Sequence, residues 1–374
     1  MQGARAAGGR PSAISTDPPA LTAHFVSLPW VLEVVAHGDT KATVIDRGGF
    51  RVDLRVVPPA CYGDLLQHFT GSKDHNIALR EDAQRRGLSI SEYGVTVVET
   101  GEVKTFRDEE ALYGFLGYSY IPPELRESNG ELEAARAGVL PQLVELADLR
   151  GEMHCHSTWS ADGKATIEEM ARAAAERGYE FLCLTDHSHY LREGRIEQQW
   201  AEIAEVNERL ESICVLRGVE ANINAKGVVD MPDEALAELD WVVASLHTSF
   251  DKNPTERVLA AIDNPHVDCI GHLTGRRISR RNGAELDIER IIGRAVETGT
   301  ALEINGQPDR LDMRDVHARL AGEAGVLIPV TTDAHSVESL SYAELGIGQA
   351  RRAWLAKEQV LNTRPWVEIE AGKR

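Results

Sequence analysis

The pattern of hydrophobic and polar positions changes near residue 149. From there, short apolar runs typical of buried parallel strands alternate with segments of helical periodicity. The apolar runs are RGEMHCHS (150–157), FLCLTDHS (181–188), CVLRGVEANI (214–223), WVVASLHTS (241–249), VDCIGHLTG (267–275), ALEING (301–306) and LIPVTTDAH (327–335). The first helical segment carries a capping box, Thr166 with Glu169. Seven such units predict an α/β fold and favour a closed (βα)7 barrel over an open sheet.

The part of the chain before residue 149 follows a different pattern. Residues 1–18 are rich in glycine and lack a hydrophobic period, so we expect disorder there. Residues 19–60 predict a helix followed by an antiparallel meander, and residues 61–122 mix helical and strand signals. Residues 123–148 are polar and contain prolines, which is typical of a linker with some helix. We therefore predict a small α+β piece ahead of the barrel.

Composition places the chain among globular proteins. Its 374 residues are 43% hydrophobic and 26% charged, and no apolar run approaches the ~20 residues that cross a bilayer. The five cysteines are scattered without a CxxC pair, which favours buried thiols in a reducing compartment. We expect a cytoplasmic protein that does not bind membranes. The net charge of −19 argues against a surface that is basic throughout, but it suits a protein that gathers divalent cations.

The stretch His154-Cys155-His156 is the first candidate for metal binding. Because side chains alternate along a strand, we expect both imidazoles on one face and Met153 and Cys155 on the other. Asp162 follows six residues later. Taken alone, the pair is equally compatible with two ordinary strand histidines.

Further ligand-type residues recur at the ends of the other predicted strands. The full set of nine is His154, His156, Asp162, His187, Glu220, His247, His272, Asp333 and His335. Any one of them is compatible with an ordinary core or loop residue. Their joint position at the carboxyl ends of parallel strands, where barrel enzymes assemble their sites, predicts one common centre.

The types of ligand indicate the chemistry. Imidazoles and carboxylates without thiolates suit Zn²⁺, Mn²⁺ or Fe²⁺. Nine ligands exceed what one ion needs, so we expect two or three divalent ions that hold a hydroxide for attack on a phosphate ester. Arg276, Arg277, Arg280 and Arg281 follow His272 and are candidates for gripping substrate phosphates; the alternative is a solvated, salt-bridged loop.

Residues 149–370 resemble the polymerase and histidinol phosphatase (PHP) domain, a distorted (βα)7 barrel with a trinuclear metal site. The resemblance rests on HxH, TDHS, GH and DAH together with Asp162, Glu220 and His247. It implies one ion held by His154, His156, Glu220 and Asp333, the set that we expect to act through the bound hydroxide. It implies a second ion at Glu220, His247 and His272, and a third at Asp162, His187 and His335.

Residues 20–122 resemble the end of the palm and the thumb of a bacterial family-X DNA polymerase. The matching segments are HGDTK (37–41), VDLRVVPP (52–59), FTGSKDHN (69–76), LSISEYG (88–94) and YIPPELRE (120–127). The resemblance implies a truncated palm over 19–60 and a thumb over 61–122. It matches Asp53 to the third palm carboxylate and Asn76 and Arg80 to thumb groups that probe the nascent base pair; without it, Asp53 is an ordinary strand residue.

The palm of a full family member opens with a DxD pair of carboxylates. The stretch ahead of the palm-like segment contains Ser-Thr-Asp at residues 15–17 and no such pair, so we expect two of the three palm carboxylates to be missing. Because a single carboxylate cannot hold the two Mg²⁺ ions of nucleotidyl transfer, we do not expect DNA synthesis by this chain alone.

The resemblance implies a Mn²⁺-dependent 3′–5′ exonuclease that processes DNA 3′ ends in repair, with gapped or single-stranded DNA as the partner. One alternative is a small-molecule phosphatase of the histidinol phosphatase kind. The other is a metal-stabilised structural module of a family-X polymerase.

Overall fold

The computed structural model describes residues 12–14, backbone only, and residues 17–373. The chain divides into two compact units, with the boundary between Leu140 and Pro141. Within the described ranges, no helix is both long and apolar enough to cross a membrane.

The first unit is an α+β structure with two sheets. Its strands are β1 (Ser12–Ile14), β2 (Val31–His37), β3 (Lys41–Asp46), β4 (Arg51–Val57), β5 (Leu88–Ser91), β6 (Gly94–Val97) and β7 (Val103–Lys104). Its helices are α1 (Pro18–Val26), α2 (Tyr62–Phe69), α3 (Lys73–Arg85), α4 (Glu109–Phe115) and α5 (Glu131–Ala137). One sheet has the order β1-β4-β3-β2 and the other has the order β5-β6-β7. The predicted helix and antiparallel meander are confirmed.

The expectation of disorder over residues 1–18 is wrong where the chain is described. The backbone of β1 pairs in parallel with β4, with Ser12 opposite Arg55. Helix α1 begins at Pro18, and the Asp17 side chain accepts a hydrogen bond from the Ala20 N–H at 3.1 Å. An open sheet edge supplies backbone partners whatever the composition of the added strand, which periodicity cannot reveal. Residues 1–11, 15 and 16 lie outside the described residues.

Residues 123–140 are part of the first fold unit and not a linker. Arg126 is fully buried, and its guanidinium contacts Glu109 with an N–O distance of 2.5 Å. Glu131 is also buried, and its carboxylate lies 2.6 Å from Nδ1 of His75. The polar composition misled the prediction, because these charges are paired in the interior with residues far upstream.

The second unit alternates strands and helices. Its strands are β8 (Gly151–Cys155), β9 (Phe181–Leu184), β10 (Cys214–Asn222), β11 (Trp241–Ser245), β12 (Cys269–Gly271), β13 (Ala301–Leu302), β14 (Ile304–Asn305) and β15 (Val330–Thr331). Its helices are α6 (Ile167–Glu176), α7 (Arg195–Arg209), α8 (Asp233–Leu236), α9 (Pro254–Ile262), α10 (Ile288–Thr298), α11 (Asp315–Glu323), α12 (Ala343–Arg352) and α13 (Trp366–Ala371).

The strands of the second unit form a curled parallel sheet, as predicted. β8 to β13 lie in sequence order, and β14 pairs with β15. A bridge between Cys155 and Ala334 connects the segment after β15 to β8. The sixth predicted strand is interrupted at Glu303, between β13 and β14, which distorts the barrel. Apolar side chains of the strands pack against the surrounding helices, and four of the five cysteines are buried, whereas Cys214 is exposed.

Strand β8 departs from simple alternation. Its pairing with β9 is irregular between Glu152 and Cys155, and the Glu152 carboxylate accepts hydrogen bonds from the N–H groups of Met153 and His154 at 3.0 and 2.9 Å. Met153 and Cys155 consequently belong to different hydrophobic clusters, contrary to the prediction that they share a face. A buried carboxylate that bonds to its own strand overrides the two-residue period.

Candidate metal centre

Glu220, at the end of β10, is the hub of the predicted cluster. Its Oε1 lies 2.9 Å from Nε2 of His272 and 3.2 Å from Nε2 of His247. The same oxygen is 3.5 Å from Nε2 of His154. Its Oε2 lies 2.7 Å from Nδ1 of His187. One carboxylate therefore faces side chains at the carboxyl ends of four other strands.

Two further carboxylates complete the cluster. Asp333 Oδ1 lies 3.2 Å from Nε2 of His156 and 3.6 Å from Nδ1 of His335. Asp162 Oδ2 lies 3.2 Å from Nε2 of His335 and 3.6 Å from Nε2 of His187. The structure thus brings together all nine side chains that the sequence pointed to, at the carboxyl ends of the strands.

Two of these residues have uncommon backbone conformations. Asp333 and His272 have positive φ angles of 49° and 25°, which are costly for residues with a side chain. The loop that carries Asp162 needs glycine next to it, because a Cβ on Gly163 would lie 1.8 Å from the carbonyl oxygen of Ser157. Strain of this kind concentrates at functional sites, since the fold must hold it in place.

Unsatisfied buried atoms show that the cluster fits divalent cations. His154 Nε2 makes no hydrogen bond although it is buried, and it faces carboxylate oxygens of Glu220 and Asp333 at 3.5 and 3.8 Å. His156 Nδ1 and His272 Nδ1 are likewise buried without a hydrogen bond. Buried polar atoms are rarely left unpaired unless an ion, a water or a catalytic role explains them. Imidazole nitrogens and carboxylate oxygens without thiolates are suitable ligands for divalent metals.

The charge state of the buried carboxylates supports the same conclusion. Burial alone would raise the pKa of Glu220, but the surrounding histidines, His247 and His154 foremost, hold it well below its usual value. The pKa of Asp333 is also held well below its usual value, because His154, His156 and Arg310 outweigh burial. Hydrogen bonds from His187 and His335 lower the pKa of Asp162. All three carboxylates are therefore ionised near neutral pH, as metal ligands must be.

The histidines divide into two groups. Burial lowers the pKa of His156 to about 3 and that of His272 to about 4, which keeps both imidazoles neutral. For His187, carboxylates of Asp162 and Glu220 outweigh burial and raise the pKa to about 10. The pKa of His154 is raised well above its usual value against the effect of burial, with Glu303 the largest contributor. The carboxylates around His154 and His187 therefore favour positive charge at this site.

Sequence analysis missed a second layer of polar residues behind the cluster. Glu303 is fully buried, and its Oε1 lies 2.6 Å from Nδ1 of His154. Its Oε2 accepts a hydrogen bond from the His272 N–H. Arg310 Nε lies 3.3 Å from Oδ2 of Asp333, and Asn305 donates a hydrogen bond to the same oxygen at 3.2 Å. The only sequence signal for Glu303 is its position, since it is a charged residue in the middle of an apolar strand.

A cavity of about 660 Å³ opens over the cluster. Its lining includes Arg277, Arg310, Lys164 and Tyr342 in addition to six of the candidate ligands. Of the four arginines singled out in the sequence, Arg277 alone appears in this lining, and its guanidinium also contacts Asp309 at 2.7 Å.

The other three arginines, which are also candidates for phosphate contact from the sequence, are not part of this lining, and that role stays a prediction for them. Arg276 donates hydrogen bonds to the carbonyl oxygens of Arg310 and Leu311. Arg281 donates to the carbonyl oxygen of Gly275 and lies over the Phe250 ring at 4.0 Å. Arg280 is exposed. The guanidinium groups of Arg276 and Arg281 thus bond to loop backbone carbonyls, and the positions of these carbonyls cannot be read from the sequence.

The predicted polymerase-type residues lie in the first unit. Asp53 accepts a hydrogen bond from Thr43 Oγ1 at 2.6 Å. Asn76 accepts one from Gln67 at 2.9 Å, and Nη2 of Arg80 lies 2.8 Å from Nδ1 of His68. Asn76 and Arg80 share one helix, α3, and their nucleic-acid roles stay predictions.

Two family models match the chain. A DNA polymerase beta thumb model matches residues 65–127, and a PHP domain model matches residues 152–306. The first match lies within the α+β unit, and the second covers the strands from β8 to β14.

Individual relatives give the same division. The chain is 44% identical over 370 residues to a DNA polymerase/3′-5′ exonuclease PolX of Bacillus subtilis. The aligned region covers 96% of this chain but only 64% of the relative. It is 33% identical over 226 residues to a probable phosphatase of Caldanaerobacter subterraneus, and the aligned region covers 57% of this chain and 86% of the relative.

Among solved structures, a histidinol phosphate phosphatase from Lactococcus lactis matches with a TM-score of 0.43 and 18% identity, over 54% of this chain and 93% of that one. The PHP domain match, the ligand cluster and the phosphatase relative agree on one assignment for the second unit. The chain belongs to the PHP-domain family, and it carries ahead of that domain a thumb module of the kind found in family-X DNA polymerases.

Proposed function

We propose that this chain is a metal-dependent phosphoesterase that hydrolyses DNA from 3′ ends, as a 3′–5′ exonuclease and 3′-end-processing enzyme. The observation that carries the proposal is the convergence of nine imidazole and carboxylate side chains under an open cavity. Divalent cations bound there would activate water and neutralise charge on a phosphoryl group.

The grouping of distances supports three ligand sets. Asp162, His187 and His335 form one set, joined by the contacts of Asp162 Oδ2, and His187 also lies 2.7 Å from Oε2 of Glu220. His247 and His272 converge on Oε1 of Glu220 and form the second. The third, His154, His156 and Asp333, meets the second at Glu220. The chain would hold two or three ions in this way, with Mn²⁺ as the active metal and Zn²⁺ or Fe²⁺ as alternatives.

Charged side chains above the cluster would orient the substrate. Arg277 faces the cavity, and its planar guanidinium can grip a phosphate through two hydrogen bonds. Arg310 orients Asp333 and lines the same cavity. These cations would hold the phosphate above the carboxylate-rich floor, where repulsion would otherwise weaken binding.

Two features favour DNA as the substrate. The same chain contains the polymerase-type thumb, in which Asn76 and Arg80 would contact DNA. The Bacillus subtilis relative is named as both a polymerase and a 3′-5′ exonuclease, and this chain spans 64% of its length. A basic groove is not needed over the whole surface, because the phosphate would be bound at the metal centre.

The test is release of nucleotides from oligonucleotides labelled at either end, with Mn²⁺ in the assay. Degradation should proceed from the 3′ end, and His154→Ala combined with Glu220→Ala should abolish it. His266→Ala, which removes a histidine outside the cluster, is the matched control and should keep full activity. If the wild type releases nothing, or if the double variant digests DNA as fast as the wild type, the proposal is wrong.

A small-molecule phosphatase is the second candidate, because the phosphatase relative aligns with 57% of this chain. Release of phosphate from sugar or amino-alcohol phosphates, compared with DNA hydrolysis by the same preparation, decides between them. A higher kcat/KM on a small phosphate monoester would favour this candidate.

A further inference from the structure

A row of aromatic rings leads outward from the metal centre. The ring centroids of His156 and His187 are 4.4 Å apart, and those of His187 and His189 are 5.5 Å apart and stacked. The next pair, His189 and Tyr190, lies at 4.0 Å. The first two rings belong to the ligand cluster, whereas His189 is exposed and Tyr190 is half-buried. The row therefore continues beyond any atom needed to hold a metal.

The row ends at a second cavity, of about 480 Å³, which is lined mainly by the loops that follow β8 and β9. Trp159 forms another part of its lining, with the Arg195 guanidinium over its ring at 5.0 Å. Arg195 also donates a hydrogen bond to the carbonyl oxygen of Tyr190 at 2.7 Å, and Trp159 donates one to Glu202 at 2.8 Å. These bonds fix both aromatic walls in position before a ligand arrives.

The lining has the chemistry of a single-strand nucleic-acid surface. It combines three aromatic side chains with the guanidinium groups of Arg192 and Arg195, while Glu193 is a carboxylate in the same lining. Aromatic rings stack on any nucleobase, and arginine adds attraction both to bases and to the backbone. A small aliphatic phosphate has no group that would use such walls.

We propose that this cavity is a nucleobase subsite for the DNA strand whose 3′ end is hydrolysed at the metal centre, with Tyr190 and His189 as the stacking surface. The proposal rests on the function proposed above and defines its substrate as an unpaired 3′ end that bears bases. One strand of B-DNA advances roughly 3.4 Å per nucleotide along the helix axis, and the backbone of an unpaired strand can extend farther. Rings that begin 5.5 Å from His187 are within reach of a nucleotide at the cluster or of its neighbour.

The experiment compares a normal oligonucleotide with one whose last two residues are abasic. Tyr190→Leu should raise KM for the normal strand about tenfold, the scale expected for losing one base–aromatic stack. It should leave KM for the abasic strand unchanged, and Tyr190→Phe should restore wild-type behaviour. Equal losses on both strands, or equal effects of the Leu and Phe variants, would overturn the proposal.

Binding separates this proposal from the proposed function. Affinity of the intact chain for a fluorescent single-stranded oligonucleotide can be measured by anisotropy with Ca²⁺ in place of Mn²⁺. Tyr190→Leu should weaken binding about tenfold even if no hydrolysis is seen. The control, Arg290→Ala with Arg294→Ala, removes two arginines of α10 outside the cavity and should leave binding unchanged. Unchanged binding by Tyr190→Leu would overturn the subsite whatever the enzyme hydrolyses.

Discussion

The carboxylate of Glu303 lies 2.6 Å from Nδ1 of His154, and both side chains are completely buried. This contact fixes the orientation of the imidazole so that Nε2 faces Glu220 and Asp333. A second contact, from Thr331 Oγ1 to Glu303 at 2.6 Å, holds the carboxylate itself. A carboxylate behind a metal-binding histidine sets the ring position and strengthens the ligand.

Replacing Glu303 should therefore weaken metal binding without removing a ligand. Glu303→Gln keeps the size of the side chain but loses the charge, and we expect a 10–100-fold loss of affinity for the tightest ion. Competition with a chromophoric chelator measures it. Glu180→Gln, which alters an exposed glutamate paired with Arg150, is the control. Equal affinities for the Glu303 variant and the wild type would contradict the role assigned to this contact.

The three ligand sets should differ in how much metal each variant retains. Asp162→Asn affects one set only, so the protein should lose one ion and keep the rest. Glu220→Gln alters the carboxylate that faces His154, His187, His247 and His272, and it should lose more than one ion. Elemental analysis after gel filtration gives the count. The same stoichiometry for both variants would rule out the grouping.

The arginines that follow His272 should behave differently from one another. Arg277→Ala should raise KM for DNA about tenfold or more with little loss of stability, because its side chain lines the cavity and charge-assisted hydrogen bonds contribute ~1.5–3 kcal/mol. Arg281→Ala should lower the melting temperature with little effect on KM, since its guanidinium bonds to the Gly275 carbonyl. Steady-state kinetics and thermal unfolding separate the two; the reverse pattern would show that the loop has been assigned wrongly.

Asp64 in the first unit should make stability depend on pH. Its side chain is fully buried and accepts one hydrogen bond from the Phe106 N–H at 2.8 Å, and burial raises its pKa to about 6. Because the folded pKa exceeds the unfolded value of about 3.9, the native state binds the proton more tightly. The contribution of protonated Asp64 to the free energy of unfolding is fully present below the unfolded pKa and is lost as the pH rises through about 6.

Asp64→Asn removes that dependence. Relative to wild type, the variant should gain on the order of 2 kcal/mol in the opening free energy of α2 amides between pH 4 and pH 7.5. Hydrogen exchange of these amides is the measurement, and Asp74→Asn, at an exposed position on α3, is the matched control. If the difference in opening free energy between wild type and variant stays constant across this pH range, Asp64 does not ionise there with a raised pKa.

The site was more predictable than the structure around it. His154, Glu220 and Asp333 could be placed together because the carboxyl ends of parallel strands share one rim. Glu303 could not be placed with them, since its partner His154 is 149 residues away. Nothing in the segment ALEING distinguishes a carboxylate that supports a ligand from an ordinary strand residue. The partners of Arg276 and Arg281 could not be predicted for a related reason, because they are backbone carbonyls. The buried Arg126–Glu109 pair likewise turned an apparent linker into part of a fold.

The central claim is that the nine-residue cluster binds the metals that hydrolyse DNA. Its most direct test is stepwise addition of Mn²⁺ to chelator-treated protein while nucleotide release from a 3′-labelled strand is measured. Activity should return in proportion to bound metal and level off at two or three ions per chain, and His154→Ala with Glu220→Ala should recover none. Full activity in the metal-free protein, or recovery by the double variant, would contradict it.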